Sequence, residues 1–409
     1  MKLESTMLAG LATGALLVAG CVGSEGPDAD DDVAGDGADH LRVHPLDSFV
    51  IGTTEPGAAN TGLHVSGLTT ANLTVTSTSA NGDLLVNDAW IASHGTTQTI
   101  NGVSTKVIDK IWVKGFLTFT ATSPVLFTNS QFEGRTFTGA APLDAVIHAR
   151  STSTPIGARV SFQNCKITVI QPDVGISTAA GERLGDLIRC DVSRGSDGLD
   201  YWNPAAGQHV YGSYFHDFSF WAHDPKHTTD PTNPGWSHND YIQSSGGTGL
   251  DIWGCAFDIH AAVGIGDVAT LTANQFPDRN WGSAVALTAG VGHITSAQVR
   301  QNWFRGGQVH VFLPTQNTGI DFGDSMTVHH NRHDFGLHGY GPYSGSYSKQ
   351  FIRWGYPMGP AVTDMHDNVL LSEANVPVNL RGSLLPTATL IGGATSSGQY
   401  IVAINSPTR

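Results

Sequence analysis

Acidic residues and histidines concentrate in the middle of the chain, where they could carry out acid–base chemistry. Asp197 and Asp200 share one short polar segment, and Asp240 lies in a later one. Two carboxylates held close together acquire different pKa values, so one can act as an acid while the other stays ionised. The candidate catalytic residues are Asp197, Asp240, Asp200, His216, Asp217 and His238.

Histidines add a second kind of chemistry to the same region. His216, His238 and His260 could bind a metal ion together with Asp217 and Asp240, or one of them could act as a base in β-elimination. Taken singly, each histidine is explained more simply as a turn or surface residue. The identity of a metal ion, if one binds, is left open.

A long insertion and several aromatic residues accompany these groups. The insertion runs from Trp221 to Trp236, and long loops on a rigid scaffold are where function tends to lie. Flat aromatic faces pack against sugar rings. The predicted substrate-binding residues are Gln243, Tyr241, Asn239, Lys226, Trp202, Trp221 and Trp236.

Strand alternation gives Asp197 and Asp240 a competing, structural interpretation. Asp197 falls on the same face as Leu199, and Asp240 on the same face as Ile242, since alternate residues of a strand share a face. If these apolar residues point inward, the two carboxylates would cap polar groups of a turn. Asp200, Tyr241 and Gln243 would then face outward, where they could bind a sugar.

A six-residue pattern positions these segments. It consists of an apolar residue, two free positions, a small polar residue, one free position and usually a second apolar residue. The copies begin at Phe127, Phe162, Leu187, Val210, Ile252, Val299, Val328 and Met365, and their small residues are Ser130, Cys165, Cys190, Ser213, Cys255, Asn302, Asn331 and Asn368. His333 is the exception at the last apolar place, and Tyr400-Ile401-Val402 is expected to form a strand near the C-terminus.

Copies at variable intervals are typical of a solenoid whose turns carry surface insertions of different length. The prediction is an all-β chain, a single-stranded right-handed parallel β-helix in which equivalent residues stack in ladders. With 49 glycines and only 14% charged residues, little helix is expected. A β-sandwich with irregular strands is the alternative.

The cysteines fit the same alignment. Cys165, Cys190 and Cys255 share one place in the repeat, so they should line one inward ladder as reduced, buried thiols. A disulfide between Cys165 and Cys190 is the alternative, and it would leave Cys255 unpaired. Zinc binding is less favoured because no CxxC or HxxxH pair accompanies the cysteines.

The N-terminus predicts export. Residues 1–20 contain a short apolar run of signal-peptide length, and Val18-Ala19-Gly20-Cys21 resembles a bacterial lipobox, which implies lipidation of Cys21. Residues 21–45 are expected to be an acidic, solvated tether, with seven acidic residues and no Lys or Arg between Val22 and His40. Residues 46–409 would form the β-helix domain, anchored at the bacterial cell envelope or secreted.

The charge of the body bears on its partners. Without the leader and tether acids, 20 basic and 27 acidic residues remain, a formal charge of −7, against −14 for the whole chain. Nucleic acid is therefore not expected as a partner, because its phosphates require a concentrated basic face. We expect a monomer that contacts a membrane only through its lipid anchor.

The repeat and the segment Ser-His-Asn-Asp-x-Ile-Gln, residues 237–243, resemble the pectate-lyase-like right-handed β-helix superfamily. The resemblance covers residues 57–381, and it implies a partner of polysaccharide type. This superfamily contains lyases, hydrolases, epimerases and binding proteins, so the fold alone does not select a reaction.

A closer resemblance is to polygalacturonase-type hydrolases. Their first catalytic Asp falls on Asp197, and the second Asp of their Asp-Asp pair falls on Asp240. The chain departs from that pattern at Asn239, which replaces the first Asp of the pair, and it has no Arg-Ile-Lys segment. A carboxyl spacing of about 7–9 Å would favour inversion, and one of about 5 Å retention.

Two functions therefore stay open. The first is cleavage or modification of an extracellular polysaccharide by a lyase or glycoside hydrolase, for which Ca²⁺ would be the cofactor if the substrate carboxylate needs a cation. The second is a non-catalytic glycan-binding or adhesin-type surface protein, which the incomplete hydrolase motif favours.

Overall fold

The structure is a computed structural model. It describes residues 49–70, 74–76, 79–134, 145–149, 159–169, 174–177, 184–201, 207–217, 240–258, 283–287, 294–306, 309–313, 326–334, 348–355, 363–372, 382, 384 and 399–405. In this part of the chain the secondary structure is almost entirely strand. The helix it contains is α1 (Asp88–His94), which begins where the Asn87 side chain accepts the Trp90 N–H and which buries Ile91.

The strands follow one another closely along the chain. In order they are β1 (Thr69–Thr70), β2 (Thr74–Thr76), β3 (Ser79–Val86), β4 (Thr96–Ile100), β5 (Val103–Asp109), β6 (Ile111–Lys114), β7 (Leu117–Phe119), β8 (Val125–Thr128), β9 (Gln131–Glu133), β10 (Ala145–His148), β11 (Val160–Gln163), β12 (Lys166–Thr168), β13 (Val174–Ser177), β14 (Leu184–Ile188), β15 (Asp191–Ser193), β16 (Asp197–Tyr201), β17 (Gln208–Tyr211), β18 (Tyr214–His216), β19 (Ile242–Ser244), β20 (Gly247–Thr248), β21 (Leu250–Trp253), β22 (Ala256–Asp258), β23 (Ser283–Leu287), β24 (Ile294–Thr295), β25 (Gln298–Arg300), β26 (Trp303–Arg305), β27 (Val309–Leu313), β28 (Met326–His329), β29 (Arg332–His333), β30 (Ser348–Gly355), β31 (Thr363–His366), β32 (Val369–Leu370) and β33 (Gln399–Asn405).

Three large sheets contain nearly all of these strands. Sheet 1 has the order β1-β6-β9-β12-β15-β18-β22-β26-β29-β32, and sheet 2 the order β2-β3-β7-β10-β13-β16-β19-β23-β27-β30-β33. Sheet 3 has the order β31-β28-β25-β21-β17-β14-β11-β8-β5-β4. The pairing is parallel except at sheet ends, where β2–β3, β4–β5 and β30–β33 pair antiparallel.

The chain visits the sheets in a constant order. From β5 onward, a strand of sheet 3 is followed by one of sheet 1 and then one of sheet 2, and we call each such set a strand triplet. Successive triplets pair in register, as in Leu187↔Val210↔Ile252 of sheet 3. The all-β prediction is therefore confirmed, and the strand expected at Tyr400–Val402 lies in β33.

The six-residue repeat forms the tight connection from sheet 3 to sheet 1. The residue before each small polar residue has a positive φ, for example 47° at Asn129, 53° at Asn164 and 54° at His330. This left-handed conformation costs a non-glycine residue roughly 1 kcal/mol, so side-chain contacts must offset it. The structure adds a ninth copy, in which Lys110 has φ 58° and Ile111 takes the place of the small residue.

Small polar residues of the repeat stack in one buried ladder, as predicted. The cysteines donate to main-chain carbonyls of the preceding triplet, Cys165 to Phe127, Cys190 to Phe162 and Cys255 to Val210. Ser213 Oγ accepts the Cys190 N–H at 3.0 Å. All three thiols are free and buried, so the prediction of reduced structural cysteines is confirmed and the disulfide is not formed.

Asparagines continue this ladder, and each side chain makes two hydrogen bonds to main-chain groups, one as acceptor and one as donor. Asn331 Oδ1 accepts the Asn302 N–H at 3.0 Å, and Asn331 Nδ2 donates to the Val299 carbonyl at 2.8 Å. Asn368 repeats both contacts one triplet later, to the Asn331 N–H and the Val328 carbonyl. Because these groups are buried, the side chains satisfy main-chain atoms that water does not reach.

Apolar and aromatic ladders fill the space between the sheets. Phe215, Phe257 and Phe304 stack with ring centroids 5.1 Å apart, and His333 continues the stack at the same spacing. His333, the exception in the repeat, is fully buried and its Nδ1 lies 2.8 Å from Nδ1 of buried His310. The imidazole of His333 therefore takes the place of the expected apolar residue, because it stacks like a phenylalanine ring and has His310 as its polar partner.

Residues 49–62 form a strap across the outside of the tight connections. Phe49 and Ile51 pack with Ile188 of β14. Further along, the Gly52 carbonyl accepts from Arg332 Nη2, and Glu55 forms an ion pair with Arg305. The strap thus links several triplets that are far apart in sequence.

The asparagine ladder gives a stability prediction. Asn331→Ala leaves buried groups of Asn302 and Val299 without their partner, so we expect a loss of at least about 2 kcal/mol in the free energy of unfolding. Asn331→Ser should lose less, because serine fills this place at position 213. Gln298→Ala, an exposed amide on β25, is the control and should change stability by less than about 0.5 kcal/mol. Urea unfolding measures all three, and equal losses at 331 and 298 would contradict the role of the ladder.

Candidate functional site

Asp197 begins β16 of sheet 2, and Asp240 lies two residues before β19, the adjacent strand of that sheet, so the two residues are neighbours on successive triplets, as predicted. The Asp240 N–H donates to Asp197 Oδ1 at 2.7 Å, and the Ser283 N–H donates to Asp240 Oδ1 at 2.6 Å. Each carboxylate therefore holds a main-chain amide of the next triplet. These contacts match the turn-capping alternative of the sequence analysis, and a catalytic role for either residue stays a prediction.

The predicted outward face of sheet 2 is correct for two of three residues. Asp200 pairs with Gln243 across β16 and β19, and both side chains are partly exposed. Tyr241 corrects the prediction, because its side chain is fully buried and its hydroxyl donates to the Asp258 carbonyl at 2.6 Å. Tyr241 precedes β19, where the strict alternation of a strand does not hold, and its ring packs near Phe215 and Phe257.

His216, the last residue of β18, and Asp217 come together with a third residue, Asp191, which begins the neighbouring strand β15 of sheet 1. His216 Nε2 lies 3.0 Å from Asp191 Oδ1, and His216 Nδ1 lies 2.9 Å from Asp217 Oδ2. The Tyr214 ring stacks on the imidazole with centroids 4.2 Å apart. We call Asp191, His216 and Asp217 the sheet 1 triad.

Both ring nitrogens of His216 face carboxylate oxygens. Carboxylates only accept hydrogen bonds, so this geometry suits the imidazolium, in which both nitrogens donate. Burial by itself lowers the pKa of His216, but the hydrogen bonds and negative charges of Asp191 and Asp217 outweigh it, and the pKa of His216 is raised. The triad therefore favours the protonated form of His216 at a partly buried site.

Asp191 was missed by the sequence analysis, although a signal for it exists. Asp191 pairs with Tyr214 and Ser193 pairs with His216, so Asp191 and His216 are diagonal neighbours on one face. Asp191 follows the inward-facing Cys190 of the repeat, so alternation along the strand predicts that Asp191 faces outward, near His216 of the next triplet. The strap covers Asp191 closely, because a Cβ at Gly62, whose φ is 73°, would lie 2.5 Å from the Asp191 Cβ.

A second polar cluster lies on sheet 3 and was also not predicted. His209 Nδ1 lies 2.8 Å from Asp186 Oδ1, and the hydrogen bond to Asp186 raises the pKa of His209. Next to it, Asp251 accepts from Tyr211 Oη and, through two nitrogens, from Arg300. The bidentate contact fixes Arg300 over the Trp253 ring at 4.4 Å, which makes this cluster a rigid structural network.

Metal-ligand chemistry appears in a different place from the one predicted. Within the described ranges, one group of side chains could hold a metal ion, formed by His329, His330 and His366 with ligand atoms within 4.8 Å of one another. Imidazole nitrogens are not the ligands that Ca²⁺ prefers. The expected Ca²⁺ therefore stays a prediction that follows only from the family resemblance.

Several predicted residues lie outside the described residues. They are His238, His260, Asn239, Lys226, Trp202, Trp221, Trp236 and Cys21. Their predicted roles in catalysis, substrate binding and lipidation stay predictions.

Comparisons of the chain with protein-family models, curated proteins and solved structures find no match. Among the residues that the structure describes, no helix has the length and apolar character needed to cross a membrane. The functional argument therefore rests on the residues and their geometry.

The raised pKa of His216 predicts a pH-dependent stability. A group whose pKa is higher in the folded state stabilises the fold below its unfolded pKa of about 6.5, and this contribution is lost as pH rises through the folded pKa. His216→Gln should therefore lower the melting temperature most near pH 6 and progressively less at higher pH. At pH 6 we expect a loss of about 1 to 3 kcal/mol.

The control for this series is His94→Gln, an exposed histidine of α1 whose imidazole contacts Ser93 and the Trp90 carbonyl. Its effect on melting temperature should be small. A difference between wild type and His216→Gln that stays constant or grows with rising pH would contradict the proton-holding triad.

Proposed function

We propose that the protein is a right-handed parallel β-helix of the pectate-lyase-like kind. The support is the constant order of sheet 3, sheet 1 and sheet 2 strands, together with the in-register parallel pairing of successive triplets. Parallel strands joined by crossover connections are almost always right-handed, which favours this hand for the coil. Variable insertions then project from a scaffold of constant cross-section.

The proposed location is the bacterial cell envelope or its exterior. The lipobox-like segment ending at Cys21 and the acidic residues that follow it support export, lipidation and a solvated tether. Phe49 and Ile51 of the strap pack on the body, which is in keeping with a β-helix domain that begins at residue 46. A tether preceding this point would separate the anchor from the fold.

The proposed activity is cleavage or modification of an extracellular polysaccharide by acid–base catalysis. The observation that carries it is His216 held between Asp191 and Asp217, shortly before the insertion that runs from Trp221 to Trp236 in the sequence. Breaking a glycosidic bond by hydrolysis or by β-elimination leaves an oxygen that must gain a proton. A histidine with a raised pKa can supply that proton near neutral pH.

The exposures of the two carboxylates indicate how the proton would move. The Asp217 side chain is 35% exposed, whereas that of Asp191 is 6% exposed. The leaving oxygen of a substrate could therefore replace Asp217 at Nδ1, receive the Nδ1 proton and depart protonated as its bond to carbon breaks. In hydrolysis water would add to that carbon and give up a proton, and in β-elimination the neighbouring carbon would lose its proton to a base as the double bond forms. Asp191 would keep the ring oriented through Nε2 and stabilise the imidazolium beforehand.

A second function is supported by a different observation. The carboxylates of Asp197 and Asp240, which the hydrolase resemblance places in catalysis, each accept a main-chain N–H. Such contacts favour a structural role and therefore a protein that binds glycan without cleaving it. In that case Asp200 and Gln243 would contribute to the binding face of sheet 2.

A substrate screen tests the proposed activity. Polyuronates and neutral polysaccharides are incubated with the mature protein, and products are followed by ultraviolet absorbance of unsaturated ends and by new reducing ends. With an active substrate, His216→Gln should lower kcat by a factor of about 10² to 10⁴. His209→Gln, which alters the comparable histidine–carboxylate pair of sheet 3, should leave kcat unchanged.

The same assay separates the alternatives. A His216→Gln protein with full activity would contradict the role of the triad. Asp240→Asn should keep its rate and lose about 1 to 3 kcal/mol of stability if Asp240 caps the turn, and a large loss of rate without loss of stability would instead make it catalytic. Glycan binding without any product would favour the second function.

Lipid anchoring has its own test. Cys21→Ala removes the thiol that the lipobox-like segment presents for lipidation, so the variant should move from the membrane fraction to the soluble fraction. Its melting temperature should match that of the wild-type body, because the tether is expected to isolate the anchor. Continued membrane association that resists high salt would remove the lipoprotein proposal.

A further inference from the structure

We propose that His329, His330 and His366 form a Zn²⁺ site that joins two adjacent strand triplets. His329 ends β28 and pairs with His366, which ends β31, while His330 occupies the tight connection that follows β28. The three side chains therefore come from two levels of sheet 3. This site lies on a different sheet from the sheet 1 triad, and it does not depend on the proposed activity.

The distances suit a single ion. The three ligand atoms lie within 4.8 Å of one another, and His329 Nδ1 lies 2.8 Å from His330 Nδ1. Nitrogens about 2.0 Å from a tetrahedral Zn²⁺ are about 3.3 Å apart. Small side-chain rotations would bring all three nitrogens to that separation.

The surroundings also suit a cation. Asp367 Oδ2 lies 3.0 Å from His366 Nδ1 and 3.6 Å from His330 Nε2. A carboxylate that holds the far nitrogen of a ligating histidine orients the ring and makes the nitrogen at the metal a better ligand. The His330 side chain is 47% exposed, so an ion can reach the site from solvent.

The donor set selects the class of metal. Imidazole suits Zn²⁺, Cu²⁺ and Ni²⁺, whereas Ca²⁺ and Mg²⁺ prefer oxygen ligands. Three histidines with a carboxylate or water in the fourth position match the ligand number of a Zn²⁺ site. An ion there would hold the His329–His330 end of one triplet against the His366 end of the next and so stabilise this part of the scaffold.

The fold supplies well-matched substitutions. Gln301 occupies the place of His330 in the preceding triplet with nearly the same φ, 53° against 54°. Gln163 occupies the place of His366 in β11, so glutamine is accepted at both positions. His330→Gln and His366→Gln should therefore fold normally while removing one ligand each.

The test is titration of untagged mature protein with ZnCl₂, followed by calorimetry and by the melting temperature. Wild type should bind one Zn²⁺ at the site and melt at a higher temperature with Zn²⁺, and a chelator should reverse the shift. Each glutamine variant should bind at least tenfold more weakly and lose the shift, whereas His94→Gln should behave as wild type. Co²⁺ absorption provides a direct signature of tetrahedral coordination.

Two results would overturn the proposal. In the first, wild type shows no saturable binding at micromolar Zn²⁺, and CaCl₂ shifts the melting temperature as much as ZnCl₂ does. The other is a variant with all three histidines changed to glutamine that keeps the wild-type affinity and shift, since that result would place Zn²⁺ on some of the other 15 of the chain's 18 histidines.

Discussion

The structure depends on the hydrogen bonds made at the tight connection between sheet 3 and sheet 1. At each copy of the repeat, one residue adopts a left-handed conformation and exposes main-chain groups to the protein interior. A small polar side chain from the neighbouring triplet satisfies them, as Ser213 does for Cys190 and Asn331 does for Asn302. Without these partners the buried amides would oppose the close stacking of triplets.

This constraint explains why the place tolerates three residue types and few others. Serine, cysteine and asparagine are small enough to fit the interior, and each can donate to the carbonyl of the preceding triplet. Asparagine can in addition donate from Nδ2 to Oδ1 of the next asparagine, which links the side chains of the ladder from Asn302 to Asn368. Parallel pairing of the strands on either side of this place fixes the direction in which their side chains point.

That direction determines where polar groups can meet. On the outer faces, residues from successive triplets lie about 4.8 Å apart, so charged side chains distant in sequence become neighbours. His216 meets Asp191 in this way, and Arg300 meets Asp251. The histidines at the ends of β28 and β31 are a third case, in which the same register brings His329 over His366.

The sequence by itself determined the repeat, the all-β class and the ladder of Cys165, Cys190 and Cys255, because each copy carries the same local pattern of apolar and small residues. It also placed Asp197 beside Asp240. It did not determine that their carboxylates hold main-chain amides, that Tyr241 is buried, or that Asp191 is a partner of His216. These contacts depend on which residues face each other across triplets and on how the strap covers the surface, and loops of unequal length hide both from the linear pattern. Tertiary structure decided them because register between strands, not distance along the chain, sets which side chains touch.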